Sequence, residues 1–222
     1  MGCRDAAGNW EKASIVIIGY SVYNMRDKIA GNAATYTTAN YDTVSSATNY
    51  IIKSGTTGKP TTMYTVPGTL TTTVQYAGYN AASPTTSQVS LTTGDPNITI
   101  ASGGKYTFWF KRNTYTVTLT KPTNGTVKAE GVTQGGAATA TTAAATLVVK
   151  YGDTVKGTAT PNTGYTFTGW SGGYLSGTTN PQTGAAITAA KTITASFGDT
   201  TKPVPTITGG TTYENGIDYR VE

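Results

Sequence analysis

Threonine fills about a fifth of this chain, roughly four times its ordinary share. Its β-branched side chain is stiff at χ1 and suits the pleated, half-exposed surface of a sheet better than a helix. The threonines also alternate with apolar residues. In TYTVTL, Tyr115, Val117 and Leu119 share one face; in KTITASF, Ile193, Ala195 and Phe197 do. In KYTFWFK, Tyr106, Phe108 and Phe110 share one face, and Thr107, Trp109 and Lys111 the other. With 27 glycines and 9 prolines, the strands must be short and bounded by turns. These features predict an all-β chain.

The same sequence is poor in reactive chemistry. It has no histidine, and Cys3 is its one cysteine. Ser-His-Asp and Cys-His catalysis, His-ligated zinc and an internal disulfide are therefore excluded. Acidic residues are few, and Asp42, Asp95, Asp153, Asp199 and Asp218 sit in turn-like contexts. The expectation is no enzyme, with no catalytic residue, cofactor or metal. The net charge of +5 is scattered, Lys111-Arg112 being the densest basic pair. Nucleic-acid binders cluster their charge, so no nucleic-acid partner is expected. The apolar run IVII is too short to span a bilayer, so no membrane span is expected in this chain.

Four segments follow from the pattern. Residues 1–22 close a preceding domain, with 13–22 a strand buried on both faces. Residues 23–112 form a β-sandwich-like module or a degenerate repeat, with strands in NYIIK, LTTTVQY, SQVSLTT, NITIA and KYTFWFK and a type II turn at Val66–Thr69. Residues 113–198 form a second module, joined to the first without a linker, which predicts a stiff joint at 112–114. Within it, Asn124-Gly125 predicts a hairpin between TYTVTLT and GTVKAEG. Residues 134–145 read as an elongated loop or a short helix. Residues 199–222 are a proline-containing linker and the start of a following domain.

The second module carries a resemblance. Tyr151-Gly152-Asp153, Val155, Ala159, Pro161, Gly164-Tyr165, Phe167, Gly169-Trp170, Gly172-Gly173, Asn180-Pro181 and Ile193 to Phe197 stand in an order that resembles the divergent internalin-type B-repeat, also called the Listeria–Bacteroides repeat. The likeness covers about residues 114–198. Two departures are Gly157, where the repeat carries an apolar residue, and the long Ala/Thr stretch at 134–145. Asp5 to Trp10 and Asp199 to Pro203 are similar to the edges of bacterial immunoglobulin-like domains. The resemblance implies elongated tandem β-modules, the second β-grasp-like, in a monomeric segment of a larger extracellular bacterial surface protein. It assigns Tyr151, Gly152, Pro161, Gly164, Tyr165, Phe167, Gly169, Trp170 and Phe197 a structural role.

Two functions are expected from different classes. One is a non-catalytic stalk or spacer with a part in adhesion, its partners host or matrix proteins or cell-wall glycan. The other is a carbohydrate-binding module attached to an extracellular hydrolase. Trp109, Trp170 and Tyr174 are the candidate ligand or inter-module contacts, because amphipathic rings concentrate at interfaces. The readings divide on where those rings lie. Trp109 is expected to pack on the adjacent module or a second sheet, or else to meet a ligand. Strict alternation places Trp170 on the threonine face; a bulge at Gly169 returns it to the core beside Tyr165 and Phe167.

Overall fold

The computed structural model describes residues 3–4, 6–8, 10–11, 15–59, 73–94 and 96–202. The turn expected at Val66–Thr69 and the domain start expected beyond residue 202 lie outside the described residues. Every regular element among those residues is a strand. β1 (Cys3–Arg4) and β2 (Trp10–Glu11) pair as a short antiparallel ladder. The first module then contains β3 (Ile17–Asp27), β4 (Tyr41–Lys53), β5 (Thr57–Gly58), β6 (Val74–Asn80), β7 (Ile98–Thr99) and β8 (Gly104–Arg112). The second contains β9 (Thr114–Leu119), β10 (Gly125–Gly131), β11 (Ala137–Ala140), β12 (Ala145–Lys150), β13 (Val155–Pro161), β14 (Tyr165–Ser171), β15 (Gln182–Thr183) and β16 (Lys191–Asp199).

The first module is one four-stranded sheet in the order β4-β3-β8-β6, with β5 and β7 a small separate ladder. The domain break expected at 22/23 falls inside β3, a central strand paired with both β4 and β8. The apolar run expected to be buried at its start is instead exposed at Ile15, Val16 and Ile17, and burial sets in from Ile18. Apolar residues fill both faces of the sheet. Ile18, Tyr20, Val22, Tyr106, Phe108 and Phe110 make one core. Met25, Tyr41 and Trp109 make another, covered by Tyr36, Ala77, Val89 and Leu91. SQVSLTT is not a strand: it bridges Tyr79 only at Thr92 and otherwise helps to form that cover.

Two packed layers occur in the second module, and both are sheets: β12-β9-β16-β14 and β11-β10-β13-β15. One core lies between them, with Val117, Leu119, Val149 and Ile193 from the first and Val127, Ala129, Val155 and Ala159 from the second. The inward residues expected in β9 and β16 point to this core, and in β13 Val155 and Ala159 do. Two local expectations change. Asn124-Gly125 closes no hairpin, because β9 pairs with β12 and β16 while β10 pairs with β11 and β13. The chain crosses between layers there, with Asn124 at φ +66° and the Phe197 ring seated where a Gly125 side chain would be. The 134–145 stretch is neither loop nor helix throughout; it contains β11, an edge strand on β10.

The two principal sheets share one topology. In each, the first strand lies antiparallel to its outer neighbour and parallel to the last strand: β3 with β4 and β8, β9 with β12 and β16. The last strand then pairs antiparallel with β6 or β14. Both of these edge strands shift register just before a glycine, between Tyr76 and Gly78 and between Phe167 and Gly169. The next residue is a buried ring, Tyr79 or Trp170, bridged to a following loop. The first module's main sheet repeats the β12-β9-β16-β14 sheet in strand order, direction and bulge.

Candidate functional site: the joint between the modules

Trp109 has 0% exposure. Its indole N–H donates to Asn80 Oδ1 at 2.6 Å, and its ring meets Tyr41 edge-on at 5.0 Å. It lies under its own module's loops and not on the neighbouring module. Trp170 is 5% exposed, donates Nε1–H to the Thr179 carbonyl at 2.7 Å and packs on Phe167. The bulge at Gly169 is present, so Trp170 faces the core. Tyr165 and Phe167 are half-buried, and of the two Phe167 joins the core cluster. The Tyr174 hydroxyl accepts the Val155 N–H at 2.9 Å and donates to the Ala185 carbonyl at 2.8 Å. Burial pushes its pKa up, the Val155 hydrogen bond working against that rise. These three rings are occupied within their modules and form no shared platform.

The other motif residues hold turns. Asp153 is buried, and its carboxylate accepts the backbone N–H of Thr133, Gln134 and Thr154 at 2.9–3.3 Å. Gly152 takes φ +90° in the turn just before it. Asn180 lies beside β13, accepting the Ala159 N–H at 2.9 Å and donating to the Ala159 carbonyl at 2.7 Å. Pro161 ends β13, and Gly164 at φ +84° turns the chain into β14. Gly157 is explained by its neighbours. A Cβ there would run into Leu175 Cδ1, with Trp170 Cη2 at 3.4 Å, so these side chains fill the space an apolar residue would take.

The most unusual chemistry lies elsewhere, where β8 passes into β9. Asp27, the last residue of β3, is fully buried. Its Oδ1 accepts the backbone N–H of Arg112, and Arg112 Nε–H donates to the Asp27 carbonyl at 2.8 Å. Its Oδ2 lies 2.8 Å from the ammonium of Lys150, on β12 of the other module. Lys150 also donates to the carbonyls of Lys28 at 3.2 Å and Gly31 at 2.6 Å. The Arg112 guanidinium reaches the Tyr151 carbonyl at 3.5 Å. Burial lowers the Arg112 pKa, as does the charge of Arg26, while Asp27 and Asp42 oppose the shift. Tyr151 N–H donates to the Asn113 carbonyl at 2.7 Å, tying the new module's turn to the linking residue.

A fully buried carboxylate is costly unless it is paired and hydrogen-bonded. Here the pairing partner comes from a different module, so the pair is complete only in one relative placement of the two. Sequence reasoning singled out neither Asp27 nor Lys150. Their one local signal is the linkerless junction at 112–114, and nothing in the sequence spacing places residue 27 beside residue 150.

Among the described residues no group of His, Cys, Asp and Glu could hold a metal ion. No helix among them is long and apolar enough to cross a membrane. No curated protein matches the chain. The structure carries the second module back to Thr114, because β9 is an inner strand of its sheet. Within that module, residues 131–201, from the last residue of β10 to just beyond β16, match the divergent InlB B-repeat domain, a bacterial surface repeat.

Proposed function

We propose that this chain is a stiff two-module spacer within an extracellular bacterial surface protein. The observation that carries this reading is the buried Asp27–Lys150 pair across the joint. A spacer transmits position only if its joints resist bending. Two modules meeting through exposed polar surface would pivot by default. Here a pivot separates Lys150 from Asp27 and leaves a carboxylate buried without its counter-charge. Breaking such a pair by removing one partner costs about 3–5 kcal/mol. The pair therefore opposes bending even if it adds little net stability.

The test is the relative orientation of the modules in solution, read from residual dipolar couplings. In the unaltered chain one alignment tensor fits both modules. Lys150→Met gives each module its own tensor. Asp27→Asn combined with Lys150→Met removes the stranded charge, so it recovers stability without recovering the common tensor. A single shared tensor in Lys150→Met overturns the reading.

A further inference from the structure

Lys53 stands in the first module where Lys150 stands in the second. Each closes the antiparallel ladder of its sheet's outer strand, opposite Ile17 and Thr114 respectively. The turns that follow match bond for bond. Ser54 N–H donates to the Val16 carbonyl at 2.8 Å, as Tyr151 N–H does to Asn113 at 2.7 Å. Thr56 N–H donates to the Lys53 carbonyl at 3.1 Å, as Asp153 N–H does to Lys150 at 3.1 Å. Both turns place glycine at positive φ, Gly55 at +76° and Gly152 at +90°.

The two ends differ in what covers them. Ile29 and Arg112 of the first module lie 3.5 Å from a Cβ placed on Gly152. Nothing lies within 4 Å of one placed on Gly55. Lys150 is enclosed, with 13% of its side chain exposed, whereas Lys53 is exposed and forms no ion pair among the described residues. Around Lys53 stand Ile15, Val16, Ile17 and Ile51, between 58% and 72% exposed. Exposed apolar residues grouped beside a charge mark an interaction surface more often than scattered ones do.

We propose that this end of the first module docks the distal end of another module of the same fold, with Lys53 as the clamp. The occupant's chemistry follows from the joint already described: a first strand ending in a carboxylate, as β3 ends in Asp27, followed by a loop whose carbonyls accept an ammonium. Val16 and Ile17 add apolar contact that Asn113 and Thr114 do not supply at the native joint. The proposal rests on the reading of the Asp27–Lys150 pair as a joint lock.

An internal duplication tests it while keeping the whole chain. A second copy of residues 16–112 is inserted between Arg112 and Asn113, which places the inserted Lys53 against the Asp27 upstream. The upstream and inserted modules are expected to share one alignment tensor, and Lys53→Met in the inserted copy is expected to separate them. Independent tensors at the new joint beside a rigid native one overturn the proposal alone. So does a new joint that Lys53→Met leaves unchanged. A native joint that stays rigid in Lys150→Met removes the underlying reading and the clamp together. Lys53→Met in the unduplicated chain provides a second check. Its Tm is expected to be unchanged; a fall of several degrees would assign Lys53 to its own module's stability and overturn the clamp.

Discussion

Three glycines of the second module show how a chain with few large residues fills a core. Gly125 faces the Phe197 ring, Gly184 the Tyr174 ring, and Gly157 faces Leu175 and Trp170. Each ring or branched side chain takes the volume its glycine leaves free, so close packing is reached without large residues on every strand. Gly157→Ala is therefore expected to destabilise the module by about 1–3 kcal/mol, the usual cost of overpacking. Urea unfolding followed by tryptophan fluorescence checks this, and an unchanged midpoint would show that Leu175 yields freely. The resemblance exposed Gly157 as a departure in the sequence. The reason for it did not show there, because Leu175 and Trp170 come from later segments.

Among the elements, β14 decides where its aromatic residues point. Alternation alone sends Trp170 to the threonine face, and the irregularity after Phe167 turns it inward. Gly169 makes this possible: it takes φ +158°, and a Cβ there would lie 3.3 Å from the Gly177 carbonyl oxygen. Gly169→Val is expected to cost about 1–3 kcal/mol through backbone strain. It should also shift tryptophan emission to the red as Trp170 loses its buried place. Retained stability with unshifted emission would show that the bulge needs no glycine. Trp170 was thus legible as a conditional, since a glycine before a tryptophan within a strand pattern marks where a bulge can form. β10 was not legible in this way. The Asn-Gly signal describes local backbone, which Asn124 adopts, but it does not say which strand the chain joins next.

At the scale of the whole molecule, tyrosines take the place of the missing histidines as buried titratable groups. Burial raises the pKa of Tyr41, chiefly, and Tyr36 and Asp27 add to the effect. Burial also raises Tyr20, with Tyr50 and Tyr106 contributing, and Tyr174. A phenol whose folded pKa lies above its unfolded value favours the folded state fully below about pH 10. That contribution is lost as pH rises toward the folded pKa, because the unfolded chain ionises first. Stability is therefore expected to hold through neutral pH and to fall from about pH 10 upward. Thermal unfolding across that range checks the sign, with phenolate absorbance reporting late-titrating tyrosines; stability that stays level past pH 11 contradicts it. The sequence alone determined the all-β class, the inward faces of β9 and β16, the lack of catalytic chemistry of the histidine kind and of an internal disulfide, and the second module's motif. These follow from side-chain stiffness, alternation and residue inventory, which act within a few residues. Tertiary structure alone decided that β9 and β10 belong to different layers, that Trp109 lies under its own loops, and that the first module's main sheet shares the topology of the sheet around β9. It also brought Asp27 to Lys150. Ion pairs and layer assignments depend on which distant segments become neighbours, and burial then turns a modest attraction into a constraint on the joint.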